Sequence, residues 1–462
     1  MARSARPLLG LLVVGLGTLP APLDTSVNIA FPAITRAFGL PLADIRWVVI
    51  AYVLTYACLM LAFGRLGDLV GHRRIFRLGL LVGALGFAAC AAAPTYALLL
   101  AGRVMQGVGV SLILSCGPAL ATSLFPEHER ARALAFYAAV TAVGAALGPL
   151  AGGIAVEAWG WPAIFWLRVP LVLLALALSW RLPAPPAAGS MRGFDAPGAL
   201  LLVVCMSAAL LATAGLPEPL DRLLAPALGP VALAGLALFV LRQMRHPQPL
   251  IRLSIFRQPG FALINGLSVA VNLAAFAVLL LVPYFLVRMA GLDAAAGGAL
   301  LAVGAVGTVI GSWVAGRLAG RGRVGLLAAA GAALAAAGLG AVSAWTPHTP
   351  LALLGLSLLA QGLGVGLFQV AYADLVVAAL PAAERGVAGS LTILTRTLGV
   401  VLGASGLSAA HALAEAAAAA AGAPPAEAFL TGFQCTFRIA ALGLGLSLAL
   451  GLANRAVWRM RA

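Results

Sequence analysis

Two ionisable side chains fall inside long apolar runs of this sequence, where a charge needs compensation. Asp24 lies within LDTSVNIAFP, and a carboxylate at membrane depth costs at least ~2.5 kcal/mol on insertion scales. A group so placed is expected to face a cavity and to take up and release a proton near physiological pH. The alternative is an acid near the outer boundary, satisfied by water or by Asn28. Arg103, in RVMQGVG, sits about one and a half to two helical turns inside its own run. It is expected to pair with a carboxylate or line a wet cavity, against the alternative of snorkelling outward along its stem. Gln106 adds a polar group one turn further on, and Gly107 and Gly109 permit close helix contact.

Other residues carry weaker chemical signals. Arg168, between Trp166 and Pro170, is open to two roles, neutralising a buried acid or attracting an anionic group, and the first is favoured. Asp374 falls too near the inner end of its run to serve as a proton site. In GAALGPLAGG, Gly144, Gly148 and Gly152 recur every four residues, with Pro149 and Gly153 beside them. One helical face is thereby stripped of side chains, while Pro149 frees a carbonyl and bends the axis; close packing without motion is the plainer reading. Asp68 is placed in a turn with Gly64, Gly71, Arg73 and Arg74. Its carboxylate is suited to an inside gate, accepting bonds from a helix N-terminus or from Arg that break on opening; a solvated loop is the alternative.

The elements that position these groups follow from composition. The 462 residues are 62% hydrophobic and 9% charged, with mean hydropathy +1.05, whereas soluble domains carry roughly 25% charged residues. Apolar runs approaching or exceeding the ~20 residues that span a bilayer as helix recur along the whole chain. They are apolar on every face, unlike the alternating strands of outer-membrane barrels, so a helical bundle is expected. Fourteen spanning segments are placed at 8–31, 47–66, 75–93, 96–120, 133–156, 161–180, 196–215, 225–242, 261–287, 295–316, 324–345, 350–378, 387–411 and 431–453.

Charge sets orientation. The net +15 comes entirely from Arg, since the chain has no Lys. These Arg residues form short clusters between apolar runs, the pattern of cytoplasmic loops and not of a nucleic-acid surface. With a cytoplasmic N-terminus, only Arg36, Arg46, Arg222 and Arg288 among the loop arginines fall outside, and both termini lie inside. The start of the chain mimics a signal peptide, but the run continues through residue 31 and holds an acid, so no cleavage is expected. Cys58, Cys90, Cys116, Cys205 and Cys435 all sit in apolar segments and suggest neither disulfides nor a metal site.

A weak repeat organises the whole. GRLGDLVGHRR from Gly64 returns as GRLAGRGRVGL from Gly316, a separation that eight helix-plus-loop units fill. The plan is a six-helix bundle over 1–180, an inserted pair over 181–250 and a second six-helix bundle over 251–462. Parallel repeats of this kind point to a transporter with its substrate site near the midplane. The run from Ala414 to Pro425, nearly all Ala, is expected to be a loop helix on the outer face.

These residues resemble the drug:proton antiporters of the major facilitator superfamily, specifically the fourteen-helix branch, along nearly the whole chain. LDTSVNIAFPAI is similar to that branch's first-helix motif, with Asp24 as its acid. Arg103, Gln106 and Gly107 resemble the fourth-helix motif linked to proton transfer. Gly144, Gly148, Pro149, Gly152 and Gly153 resemble the antiporter motif, and Gly64, Asp68, Gly71, Arg73 and Arg74 the cytoplasmic loop motif. Three places depart from the pattern: Leu69 replaces a basic residue, His72 stands where Arg or Lys is common, and WPAIFWLRVP puts Pro162 and Arg168 at Arg and Asn positions.

The resemblance implies an all-α major facilitator fold of 6 + 2 + 6 helices in two pseudo-symmetric bundles, in the cell inner membrane. It implies proton-coupled export of drugs or antibiotics by alternating access, with Asp24 and Arg103 coupling to the proton. The proton gradient is the energy source and no cofactor is called for; the partners are a small-molecule substrate, protons and lipid, with a monomer sufficient. Asn28, Gln106, Arg168, Asn272, Tyr284, Gln361, Phe368 and Gln369 are candidate cavity liners by polarity and depth. A carrier of one specific metabolite is the alternative. An intramembrane enzyme is disfavoured because no nucleophile–base or metal cluster appears, and a channel because no repeated polar ring does.

Overall fold

The computed structural model describes residues 2–125, 130–182, 195–214, 220–246, 260–319, 324–378 and 385–454, and within these every regular element is helical. The side chains of Asp68 and Arg65, among others, lie outside the described set. Eleven of the described helices are long and apolar enough to cross a membrane, joined by shorter apolar helices at Arg46–Met60, Ala163–Ser179 and Leu200–Ala209. The fourteen expected segments fall on helical stretches, the first and sixth of them divided between more than one helix. With no water at membrane depth to pair backbone groups, helix is the state that satisfies them within the segment.

Contacts divide the chain into two compact units, Met1–Leu40 with Trp47–Ser207, and Pro41–Arg46 with Ala208–Ala462. The first unit begins with α1 (Ala2–Thr18), a 3-10 turn at Pro22–Thr25, and the short α2 (Ser26–Ile29) and α3 (Phe31–Phe38). There follow α4 (Arg46–Val70), α5 (His72–Ala91), α6 (Tyr96–Ser123), α7 (Arg130–Trp159), α8 (Ala163–Trp166) and α9 (Arg168–Ser179), and α10 (Ala196–Ala214) belongs to this unit as far as Ser207. The helices α5 and α6 pack so closely that a Cβ on Gly86 would lie 2.6 Å from the Gln106 nitrogen, and one on Gly79 2.8 Å from the Leu112 Cβ. Without a hydrophobic effect between helices in lipid, such small-residue contacts are what bring them together.

The second unit contains α11 (Leu220–Arg245), α12 (Phe261–Arg288), α13 (Ala294–Ala319), α14 (Val324–Val342), α15 (Leu351–Ala378), α16 (Arg385–Ala420) and α17 (Pro425–Ala453). Gly307 and Gly331 let α13 and α14 press against α15, and Gly399 and Gly403 bring α16 onto α12. Phe285, Trp345 and Phe433 form a buried aromatic stack joining α12, the end of α14 and α17.

Three expectations change. The first segment is not one helix: Pro20 and Pro22 supply no N–H to the carbonyls of Leu16 and Thr18, so α1 ends and the chain tightens, with Ala21 N donating to Thr18 O at 3.2 Å;. Asp68 is not in a loop, because α4 runs on to Val70 and the backbone leaves the helix only at Gly71, whose φ of 104° is open to glycine;. The Ala-rich run is not a separate loop helix either. It continues α16 to Ala420, and Gly422, at φ 88°, follows the end. The repeated motif starts correspond, with Gly64 in α4 and Gly316 in the last turn of α13; residues 320–323 lie outside the described residues.

Candidate functional site

The break in the first segment places Asp24 in a 3-10 turn rather than along a regular helix face. Its carboxylate is met from α6 by Arg103, whose Nη1 and Nη2 donate to Oδ1 and Oδ2 at 2.7 and 2.8 Å. This two-pronged geometry is the strong form of an Arg–carboxylate contact. One turn along α6, Gln106 donates from Nε2 to Oδ1 at 3.0 Å. From the start of α9, Arg168 donates from Nη1 to the same Oδ1 at 2.8 Å. Of the roles open to Arg168 from its sequence, the observed contact is with the buried acid.

Both guanidiniums have second anchors. Arg103 donates from Nε to the Val48 carbonyl at 2.8 Å and from Nη1 to Gln106 Oε1 at 2.8 Å. Arg168 Nη2 donates to the Leu23 carbonyl at 2.8 Å and to Ser26 Oγ. Aromatic faces complete the enclosure: Tyr52 lies 4.3 Å from the Arg103 guanidinium carbon, and Phe87 lies 5.5 Å from that of Arg168. Such faces attract cations and offset part of their desolvation. The side chains of Arg103 and Arg168 are 0% and 3% accessible, against 13% for Asp24. The accessible edge of the cluster is therefore the acid.

The glycine face of α7 holds this turn in place. A Cβ on Gly144 would lie 2.8 Å from Pro22, one on Gly148 would collide with Thr25 Oγ1, and one on Gly152 would lie 2.5 Å from the Ser26 Cβ. Pro149 leaves the Ala145 carbonyl without its helical donor, and Thr25 Oγ1 donates to that carbonyl at 3.3 Å, sharing its proton with Pro22 O. Gly153 is buried on the same helix. Asn28, one turn beyond the acid, is buried in α2.

The loop-motif residues do not join this cluster. Arg73 Nη1 donates to the Leu182 carbonyl at 2.8 Å, tying the start of α5 to the end of α9, and Arg74 is exposed. Arg77, which sequence reasoning passed over, reinforces the tie through the Ser179 carbonyl and the Trp180 ring. The Asp68 gate expectation falls on a side chain outside the described residues.

The remaining cavity candidates belong to the second unit. Tyr284 and Phe368 have no accessible surface; Phe368 stacks on Tyr372 at 5.7 Å, and Arg288 lies 5.1 Å from the Tyr284 ring centre. Asn272 donates to the Ser268 carbonyl of its own helix, Gln361 is buried where α15 meets Gly338, and Gln369 is half-buried. A polar network missed from sequence runs beside them. Tyr372 donates to Asn265 Oδ1 at 2.8 Å, and Thr395 Oγ1 lies 3.1 Å from both the Tyr372 hydroxyl and Ser268 Oγ. The spacing of Asn265, Ser268 and Asn272 on one face of α12 was the available signal.

Comparison with known proteins agrees with this architecture. Residues 14–404 match the family described as Major Facilitator Superfamily. The chain is 31% identical over 395 residues to the riboflavin transporter RibZ of Clostridioides difficile, covering 85% of this chain and 86% of that one. It is 31% identical over 401 residues to the multidrug resistance protein Stp of Mycobacterium tuberculosis, covering 86% and 74%, and 30% identical over 391 residues to the methylenomycin A resistance protein of Streptomyces coelicolor, covering 84% and 82%. Among solved structures, the inward-facing, unoccupied bacterial homologue of the lysosomal transporter Spinster superposes with a TM-score of 0.69 at 17% identity, covering 100% and 98% of the two chains.

Proposed function

Given that this chain belongs to the major facilitator superfamily, and so is a multi-pass membrane transporter rather than an enzyme, we propose that it is a fourteen-helix proton-coupled antiporter. In this reading it exports small organic molecules across the cell inner membrane, with both termini cytoplasmic. The observation that carries the reading is the Asp24 carboxylate, an acid at the accessible edge of the cluster that accepts, among the described residues, from Arg103, Gln106 and Arg168. A carboxylate in such company is acceptor-only and ionised.

Protonation converts one oxygen to a donor and removes the charge that both guanidiniums face. The cluster need not fall apart, because Arg103 keeps Val48 O and Gln106, and Arg168 keeps Leu23 O and Ser26. Proton and substrate share the one accessible carboxylate edge, so each excludes the other. Uptake of a proton from outside then releases substrate outward, and loss of the proton to the cytoplasm resets the site for the next molecule. Alternating access of the two halves supplies the two exposures.

Relatives named for multidrug, methylenomycin A and puromycin resistance support the efflux reading. The relative named as a riboflavin transporter favours a second one, a carrier dedicated to a single metabolite. Everted membrane vesicles acidified by respiration separate these. Addition of puromycin, chloramphenicol or riboflavin is expected to release internal protons in vesicles carrying the protein and not in vesicles carrying Asp24→Asn. Response to several compounds supports multidrug antiport and response to riboflavin alone supports the dedicated carrier, whereas transport of any of them with no proton movement rejects antiport.

A further inference from the structure

The charges around Asp24 do not balance. Two guanidiniums, both permanently protonated, face one carboxylate, and among the described residues Asp24 is the acid in ion-pair contact with either of them. The aromatic faces of Tyr52, Phe87 and Phe165 are attractive to cations but carry no charge. The site therefore presents one surplus positive charge in a medium where charge is poorly screened.

The hydrogen bonds are unevenly distributed as well. Asp24 Oδ1 accepts three, from Arg103, Gln106 and Arg168, whereas Oδ2 accepts one, from Arg103 Nη2. A carboxylate oxygen has about two lone-pair sites, so Oδ2 keeps acceptor capacity on the side chain that has the accessible edge. The guanidiniums, in contrast, already direct seven hydrogen bonds to Asp24, Val48, Gln106, Leu23 and Ser26.

From these two facts we infer that the site selects uncharged molecules that donate a hydrogen bond through a hydroxyl or amide, and that Arg168 is the residue that rejects organic cations. The inference deepens the antiport reading and rests on Asp24 being the shared substrate and proton site. A donor group seats on Oδ2 without disturbing either arginine. A cation approaching the same oxygen meets two guanidinium charges against one carboxylate, and one unmatched charge within a few ångströms is a repulsion worth on the order of 10- to 100-fold in affinity at an effective dielectric near 20. Arg103 donates to both carboxylate oxygens and orients the acid, so the charge that can be removed without undoing that two-pronged contact is Arg168. Arg168, which shares Oδ1 and is otherwise held by neutral acceptors, is the unmatched one.

The test is a binding comparison in nanodiscs with no proton gradient, so that its result is independent of whether transport is proton-driven. Chloramphenicol and riboflavin serve as uncharged donors, tetraphenylphosphonium and ethidium as cations, with affinity read from ligand-induced thermal stabilisation. Wild type is expected to bind at least one uncharged probe 10-fold or more tightly than either cation. Arg168→Asn is expected to gain cation affinity and to reduce that ratio at least 10-fold, whereas Arg168→Lys, which keeps the charge, holds the wild-type ratio. Wild type binding a cation as tightly as the uncharged probes overturns the inference without the variants. So does an Arg168→Asn protein that folds and keeps the same preference. Failure of proton release in vesicles, with the charge preference intact, removes the antiport reading alone.

Discussion

Thr25 and Ala145 are joined by a hydrogen bond that a proline makes possible. The Ala145 carbonyl would ordinarily accept from the N–H four residues on, but that residue is Pro149, and the Thr25 hydroxyl donates to it instead at 3.3 Å;. The donor is the neighbour of Asp24, so the irregularity in α7 and the turn that carries the acid hold each other in place.

This pairing is measurable by a double-mutant cycle. Thr25→Val in the wild-type background is expected to cost about 1 kcal/mol, the usual net value of one such bond, seen as a lowered Tm of purified protein. In a Pro149→Ala background the carbonyl regains its helical partner, and Thr25→Val is expected to cost less, since only the bond to Pro22 O is then lost. Equal losses in the two backgrounds would show that the bond is not what fixes the turn.

Close approach on the glycine face predicts a graded response. Gly148→Ala and Gly152→Ala place a methyl against Thr25 and Ser26, shifting the Asp24 turn and the Ser26 partner of Arg168. Both are expected to reduce export at least 10-fold while inserting into the membrane at wild-type levels. Gly229→Ala, whose Cβ would meet nothing within 4 Å, is the control and is expected to transport normally.

Asp24→Asn removes the anion shared by two buried cations. Breaking a buried pair in this way typically costs 3–5 kcal/mol, so a lower Tm is expected alongside loss of proton-driven export. Substrate-for-substrate exchange, which needs no proton, separates the two effects. Retention of exchange with loss of gradient-driven transport assigns the proton to this residue, and full transport by the Asn variant excludes it.

In the second unit, Tyr372→Phe strands Asn265 Oδ1 and removes a partner of Thr395. An unsatisfied buried acceptor costs about 1–3 kcal/mol, so the variant is expected to melt earlier. Asn265→Leu combined with Tyr372→Phe should recover part of the loss, because both ends of the lost bond are then apolar. Thermal denaturation of the single and double variants checks this.

The helical segments and the chemical identity of Asp24 and Arg103 were legible because burying a charge in an apolar run is costly enough to demand a partner. That Arg168 shares this partner was also within reach, since Asp24 is the acid deep in the first unit's apolar runs. The break at Pro20 and Pro22 was visible but unread, as apolar composition locates a segment without saying whether its backbone stays regular. The network of Asn265, Tyr372 and Thr395 was half legible, through the shared face of Asn265, Ser268 and Asn272 on α12. Its partners Tyr372 and Thr395 depend on the rotation of α15 and α16, and a lone polar residue in an apolar helix gives periodicity no phase.

The 36 residues of α16 make a rod about 54 Å long at 1.5 Å per residue, against a hydrocarbon layer of ~30 Å. Tilt absorbs only part of such a surplus, so part of α16 extends past the hydrocarbon layer as a stiff post. An epitope or fiducial domain joined to that extension would move as one body with the second unit.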